Sequence, residues 1–465
     1  MPPSPRTRAA VISAKVAGAL SRASGRGGGT AVPGLVAERL DAGVVAHLAR
    51  GLGHGAVIVT GTNGKTTTAR MLAGILEAGG LRVVHNRSGS NLMRGLAATF
   101  TAASGLDGRL PRAEQTVAVL EVDEATLPAA AAATRPRVVV FTNLFRDQLD
   151  RYGEVDAITA LWRQALRAAG PATSVALNAD DPSVATLRRE APGRVLTFGI
   201  DDRAAAEDAG DHPADSRWCA ACGGEYAYTT RFFWHVGHWR CPTCDDARPL
   251  PDVAALRTEA TSHGVRAELR TPAGPLTVAI PLAGLYNVYN GLAAATGAVA
   301  LGVAPEAITR GLERFEAAFG RQETLPVRGR EVQVLLCKNP AGVNQVLRTI
   351  AADPDPLHLL ITLNDGIADG RDVSWIWDVD YETIAGRAAL IVASGTRAAD
   401  LALRLRYAGL KGELLVEPDT RAAVSRAVTA TPLGSRLYTL PTYTAMLEVR
   451  ERLARLAGGR RFWEQ

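Results

Sequence analysis

The chain is 465 residues long, with 52 Lys and Arg against 47 Asp and Glu, a formal net charge of +5, and 47% hydrophobic residues. That length and composition suit about three domains with ordinary buried cores. They exclude a membrane span, because no apolar run approaches ~20 residues, and the small, unclustered charge surplus excludes the basic footprint of a nucleic-acid binder.

Taken in chain order, the apolar stretch 9–20 is interrupted by Ser13 and Lys15. It reads as an amphipathic helix rather than a leader peptide, so the expected location is the cytoplasm. A glycine-rich loop follows at 25–34. The β-branched run 56–60 reads as a buried parallel strand. Residues 66–77 read as a helix, with Met71, Leu72, Ile75 and Leu76 at core spacing and Gly79-Gly80 as its stop. Further strands are expected at 116–121, 137–142, 174–177 and 195–198, with helices between them, which is the signature of a doubly wound α/β sheet. The pattern breaks near residue 201 with an acidic loop and a cysteine-rich segment. Alternation returns at 264–280, and 282–302 is an alanine-rich helix. A second α/β unit is expected from about Pro326, with strands at 332–336, 359–363, 389–393 and 413–416 and helices at 343–352 and 397–407.

Between the strand 56–60 and its helix stands Gly61-Thr62-Asn63-Gly64-Lys65-Thr66-Thr67-Thr68. Small residues and glycines let backbone N–H groups turn toward a polyphosphate, and the positive end of the helix favours its charge. Lys65 supplies a cation for the β- and γ-phosphates, and the Thr66 hydroxyl is placed to ligate Mg²⁺. The spacing is one residue shorter than the full GxxxxGK[ST] pattern.

That shortened form resembles the Mur ligases and folylpolyglutamate synthase. Those enzymes use ATP to turn a carboxylate into an acyl phosphate that an amine then attacks. Other segments resemble the family in the same order. Glu121 ends a strand in LEVDE, where the family binds Mg²⁺. Residues 142–153 (TNLFRDQLDRYG) look like its TN…DHLD…G segment. Asn178-Ala-Asp-Asp181 follows the next strand. Asn287 and Asn290 stand in a GxxNxxN helix start, where an asparagine reads adenine, and Arg321 resembles an arginine that reaches the nucleotide. There are departures: Gln148 replaces a metal-binding histidine, and no residue matches the lysine that many Mur ligases carbamylate.

Cys219-x₂-Cys222 and Cys241-x₂-Cys244 are separated by 18 residues. In a cytosolic protein two such knuckles favour a four-thiolate structural Zn²⁺ over disulfides; a redox pair or a catalytic zinc is the alternative. His235 and His238 lie between them and read as surface residues. Six aromatic residues in that segment are expected to share the stabilisation with the metal.

The C-terminal third carries Lys338-Asn339-Pro340, then Leu363-Asn364-Asp365 leading to Asp369-Gly370-Arg371-Asp372, and finally Thr439-Leu-Pro441-Thr442. With the four cysteines and the glycine-rich N-terminal loop, these resemble the MurT branch of the Mur ligase family over nearly the whole chain. The resemblance implies a synthetase subunit that amidates the D-glutamate of lipid II with ammonia from a GatD-type glutaminase. It implies ATP, Mg²⁺ and structural Zn²⁺ as cofactors, no nucleic acid as partner, and a C-terminal aspartate, Asp369 or Asp372, that assists the partner's Cys–His pair. It also implies a layout: residues 1–50 packing on the centre, a P-loop central domain at 51–315 with a zinc ribbon at 217–247, and a Rossmann-like α/β domain at 316–465. The residues themselves support a partner. A glutaminase needs a cysteine with a histidine base, and only Cys337 remains outside the CxxC pairs. The readings kept beside this one are an amino-acid-adding Mur ligase or a folylpolyglutamate-synthase-like ligase and, behind these, a zinc-ribbon nucleic-acid-binding P-loop protein.

Overall fold

A computed structural model describes residues 3–23, 31–86, 90–146, 155–206, 216–261, 264–316 and 321–457. The chain divides into two compact units, 1–145 with 155–316, and 146–154 with 317–465.

The first unit is built on a nine-stranded sheet. Its strands are β1 (Ala56–Thr60), β2 (Arg82–His85), β3 (Thr116–Glu121), β4 (Val138–Phe141), β5 (Ser174–Asn178), β6 (Val195–Ile200), β9 (Val253–Thr261), β10 (Gly264–Thr271) and β11 (Gly274–Ile280). Their order is β11-β10-β9-β6-β5-β4-β1-β3-β2, parallel from β2 to β9 and antiparallel at β9-β10-β11. Strands β1, β3 and β4 are buried at every position, as β-branched runs covered on both faces should be. The alanine-rich helix Leu285–Ala300 packs across β4, β5 and β6 and against the helix Lys65–Ala78. Alanine lets these elements approach closely at little entropic cost.

The N-terminal segment is three helices, Pro5–Ala23, Ala31–Leu40 and Val44–Ala49, rather than one helix and a loop. The glycine-rich stretch continues into the second of them. Gly34 is there for proximity: a Cβ would stand 1.8 Å from the Arg94 carbonyl oxygen of the helix Met93–Ala103.

The four-cysteine segment forms a two-stranded antiparallel hairpin, β7 (Ala227–Phe233) and β8 (Val236–Arg240), which is a sheet of its own and adds no strand to the large one.

The second unit holds a six-stranded sheet of β12 (Arg321–Val327), β13 (Arg330–Leu335), β14 (Leu357–Thr362), β15 (Ala388–Ser394), β16 (Glu413–Val416) and β17 (Arg436–Pro441). The order is β12-β13-β17-β14-β15-β16, with only the β12–β13 pair antiparallel. Both faces are covered. Leu357, Leu359 and Ile361 of β14 enter one core with the helices Pro340–Ala351 and Ala398–Tyr407. Leu360 enters the other, with Thr420–Ala430 and Tyr443–Leu456. The period of two divides the strand between the cores. Pro326 lies inside β12 rather than before the first strand. This is tolerated because β12 is an edge, where a missing N–H leaves no ladder bond unmade.

Candidate nucleotide and metal sites

The segment 61–64 joins β1 to the helix Lys65–Ala78. Gly64 takes φ 82, and a Cβ there would stand 2.0 Å from the Asn290 carboxamide oxygen. Only glycine meets both conditions. The loop is braced from the far end of β4. The Thr62 N–H donates to the Asn143 carbonyl oxygen and the Asn63 N–H to its side-chain oxygen, at 2.9 and 2.8 Å. The Thr62 hydroxyl accepts from the Phe145 N–H and donates to the Phe145 carbonyl, at 3.0 and 3.1 Å. Two of the loop's N–H groups are therefore committed to Asn143.

Lys65 is buried. Its ammonium donates to the Gly61 and Thr62 carbonyls at 2.6 and 3.3 Å and to the Glu124 carboxylate at 2.8 Å. Burial works against the charge, but Glu124, Asp123 and Glu121 outweigh it and hold the ammonium above the ordinary lysine range. The buried Thr66 hydroxyl donates to Glu121 at 2.6 Å. The backbone of Glu121 is fixed in turn by the Asn86 carboxamide, which accepts from its N–H at 2.9 Å and donates to its carbonyl at 2.8 Å. Thr67 is buried in the same first turn.

Asn287 is buried. It donates to the Ala283 carbonyl at 2.7 Å and accepts from Asn290 at 3.0 Å, and Asn290 accepts from the Thr68 hydroxyl at 3.3 Å. Asn290, itself held by Asn287, thus ties the helix Leu285–Ala300 to the first turn of the helix Lys65–Ala78. Arg321 opens β12 in the second unit, where its backbone pairs with Leu335. Asp147, Gln148, Asp150 and Gly153 of the TN…DHLD…G-like segment lie outside the described residues. Sequence reading did not single out Glu124 as the partner of Lys65. It stands in the same LEVDE run as Glu121, but nothing in its spacing marks it as the counter-ion.

The sulfur atoms of Cys219, Cys222, Cys241 and Cys244 lie within 4.8 Å of one another. Two of the separations are 3.6 Å (Cys219–Cys244) and 3.4 Å (Cys222–Cys241). A tetrahedron of four thiolates at about 2.3 Å from a central Zn²⁺ has edges near 3.8 Å, so the donor set and its size fit that ion. Backbone N–H groups of Ala221 and Gly224 point at the sulfurs of Cys219 and Cys222, both at 3.4 Å. His235, read as a surface residue, is fully buried, with Nε2 3.4 Å from Asp181. It sits at the turn of the hairpin, and the turn is inserted into the protein rather than pointing out. His238 is half-buried and bonds the Ile200 carbonyl at 2.7 Å.

In the second unit, Asp369 and Asp372 share a loop but not an environment. Asp369 is buried and accepts from the Thr444 N–H and hydroxyl at 2.7 and 2.5 Å. Asp372 is exposed and caps Ser374 at 2.8 Å, and that N–H holds its carboxyl below the ordinary range. Asp365 meets the Thr396 hydroxyl and Arg397. Cys337 is buried, and burial pushes its thiol well up, away from a reactive thiolate.

Residues 59–232 match the family model of the Mur ligase middle domain, and residues 336–446 match that of the MurT ligase C-terminal domain. The chain is 35% identical to the MurT subunit of the glutamine-hydrolyzing lipid II isoglutaminyl synthase of Streptococcus pneumoniae, covering 92% of this chain and 93% of that one. It is 33% identical to the MurT subunit of Staphylococcus aureus, over 96% and 97%. Among solved structures, a pseudomurein peptide ligase type C from Methanothermus fervidus superposes with a TM-score of 0.66 at 23% identity, covering 86% of this chain and 79% of that one. MurF from Acinetobacter baumannii does so with a TM-score of 0.65 at 20% identity, covering 90% and 81%. These two share the fold. From the end-to-end identity, the chain belongs to the MurT family of the ATP-dependent, carbon–nitrogen bond-forming Mur ligases.

Proposed function

We propose that this chain is the synthetase subunit of a lipid II isoglutaminyl synthase. ATP binds at Gly61, Thr62, Asn63, Gly64, Lys65, Thr66 and Thr67, with Asn287 on the nucleoside side. The D-glutamate α-carboxylate of the lipid II stem peptide attacks the γ-phosphorus, and ADP leaves. Ammonia then attacks the acyl carbon, phosphate leaves, and a proton is lost to give the amide. The observation that carries this reading is the buried pair of Thr66 and Glu121 at 2.6 Å, placed beside Lys65 at the mouth of β1.

Thr66 and Glu121 offer two hard oxygens at one point, a donor set that fits Mg²⁺ shared with substrate phosphates. Bound there, Mg²⁺ supplies charge neutralisation. Lys65 exchanges Glu124 for a phosphate oxygen, and the brace from Asn143 and Phe145 keeps the loop in place while it does so. Such groups act by preorganised electrostatics rather than by covalent chemistry.

The four thiolates hold a structural Zn²⁺. Cys337, buried and protonated, offers no glutaminase nucleophile, so ammonia comes from a GatD-type partner. Asp372 is the better placed of the two aspartates to assist that partner's Cys–His pair, because Asp369 is already bound to Thr444. Nearby aromatic side chains suit a partner surface: Trp377 is 49% exposed and Tyr407 72%, with ring centroids 5.6 Å apart. Among the described residues no helix is long and apolar enough to cross a membrane.

The test incubates the chain with ATP, Mg²⁺, lipid II and ammonium, with and without a GatD-type glutaminase and glutamine. Amidated lipid II with ADP and phosphate is expected. Addition of an amino acid instead would favour the other Mur ligase chemistry, and no amidated product in either arm would overturn the proposal.

A further inference from the structure

The turn of the four-cysteine hairpin is built unlike a surface turn. It consists of Trp234 and His235, between the paired residues Phe233 and Val236. Trp234 takes φ 51, a left-handed conformation that hairpin turns normally give to glycine, asparagine or aspartate and that strains an aromatic residue. Phe233, Trp234 and His235 are nonetheless all buried. A strained residue held in a buried turn points to a role for the turn itself.

What the turn touches is the brace of the nucleotide loop. The Phe145 ring lies 4.7 Å from His235, 6.1 Å from Phe233 and 6.2 Å from Trp234, centroid to centroid. Phe145 is the residue whose N–H and carbonyl both bond the Thr62 hydroxyl. A second path runs beside it. One Asp181 oxygen accepts from the Leu144 N–H at 2.8 Å and stands 3.4 Å from His235 Nε2. The other oxygen caps the short helix Pro182–Ala185 through Ser183 and Val184. The hairpin is clamped to the sheet along its length by Gly237 to the Asp180 carbonyl at 2.8 Å and by the Trp239 indole to the Ala179 carbonyl at 3.0 Å. At its base the four sulfurs converge.

We infer that the four-cysteine module is a positioning element for the nucleotide loop, with its turn wedging Phe145 and Asp181 so that Thr62 and Asn63 are held for ATP. The metal fixes the two strand bases, the strands carry that constraint to the turn, and the turn carries it to the loop. Trp234 and His235 are positioning residues; neither touches the nucleotide. The inference rests on the reading that the loop binds ATP.

The test uses the full chain and the imido analogue of ATP with Mg²⁺, measured by calorimetry. Trp234→Gly and His235→Ala are expected to raise its Kd roughly tenfold, the equivalent of about 1.4 kcal/mol. His235→Gln, which keeps a polar group toward Asp181, should recover most of that loss. Thr229→Ala, exposed on the same hairpin, should change nothing. Chelation of the metal should raise Kd by a comparable factor, with recovery on adding Zn²⁺. Hydrogen exchange of the amides at Thr62, Asn63 and Phe145 should quicken in the same samples. If the turn variants melt earlier but bind the analogue within twofold of the parent, the module is only a local stabiliser and the inference falls. If the parent chain does not bind the analogue yet the loop amides still respond to chelation, the ATP reading falls while the coupling stands. If neither responds, both fall.

Discussion

The loop at 61–68 and the acidic loop at 365–372 both gather charged side chains, and they treat them in opposite ways. At the first, Lys65, Glu124, Thr66 and Glu121 are all buried and each charge meets a partner within the same unit. At the second, Asp369 turns inward and is used up on Thr444, while Asp372 stays at the surface. A buried charge is stable only with its complement close by, so the first loop is electrostatically complete within its own unit, the base on which the proposed polyphosphate site rests. An exposed carboxylate set on a rigid base has no such requirement. Its complement can arrive with another molecule, which is what a shared active site between subunits needs.

The comparison breaks most decisively at Lys65. Lys65→Ala removes the cation and leaves Glu124 buried without it. Amidation with free ammonium is expected to fall about a thousandfold, the scale of losing a preorganised electrostatic group; activity within tenfold of the parent would mean that the loop is not the phosphate site. Asp372→Asn should act on one nitrogen source only. Glutamine-dependent amidation by the complex should drop by roughly 10–100-fold, while ammonium-dependent amidation is retained. Equal loss with both sources would move Asp372 into the synthetase chemistry. Asp369→Asn should instead show itself in unfolding, with a loss of roughly 1–3 kcal/mol from weakened hydrogen bonds to a buried carboxylate, read from denaturant titration. The smallest effect belongs to Asp353 in the same unit. Burial pushes its carboxyl up, but the Tyr438 hydroxyl, the Asp355 N–H and nearby arginines outweigh it and hold the carboxyl below its ordinary value. The stability it contributes is therefore present above the unfolded value of about 3.9 and is lost as pH falls through the folded one. Asp353→Asn should cost about 1 kcal/mol at neutral pH and progressively less in acid, measured as the shift in unfolding midpoint against pH.

Much of the first unit could be read from residue order because its signals are local. The run at 56–60 and the run at 116–121 became strands with those same bounds, since β-branched stretches between turn residues and helices leave little choice. Strand β9 was missed because it opens on Val-Ala-Ala-Leu, which carries no alternation, and β17 because its end, Thr439-Leu-Pro441, was read only as a family motif and given no secondary structure. In the site, Lys65, Thr66 and Glu121 were legible through one motif and one strand end. Glu124 was not, since it reaches Lys65 across 59 residues through the fold, and the Asn143 brace spans 80. His235 shows the same limit. A histidine between two cysteine pairs that already close a metal site reads as exposed, and only the docking of the turn beside Phe145 buries it.

On the proposed reading that the loop takes ATP, the pairing of Lys65 with Glu124 has a consequence for selectivity. An anion approaching the loop does not find a bare cation; it must win Lys65 from a carboxylate already 2.8 Å away. Sulfate or a single phosphate brings charge to that contest but spans little of the loop. A triphosphate bound as proposed would bring the same charge to Lys65 together with contacts at the helix start and the Thr66–Glu121 corner, which favours it in that exchange. On that reading Glu124 sets a threshold that disfavours small anions at a site that would otherwise attract them.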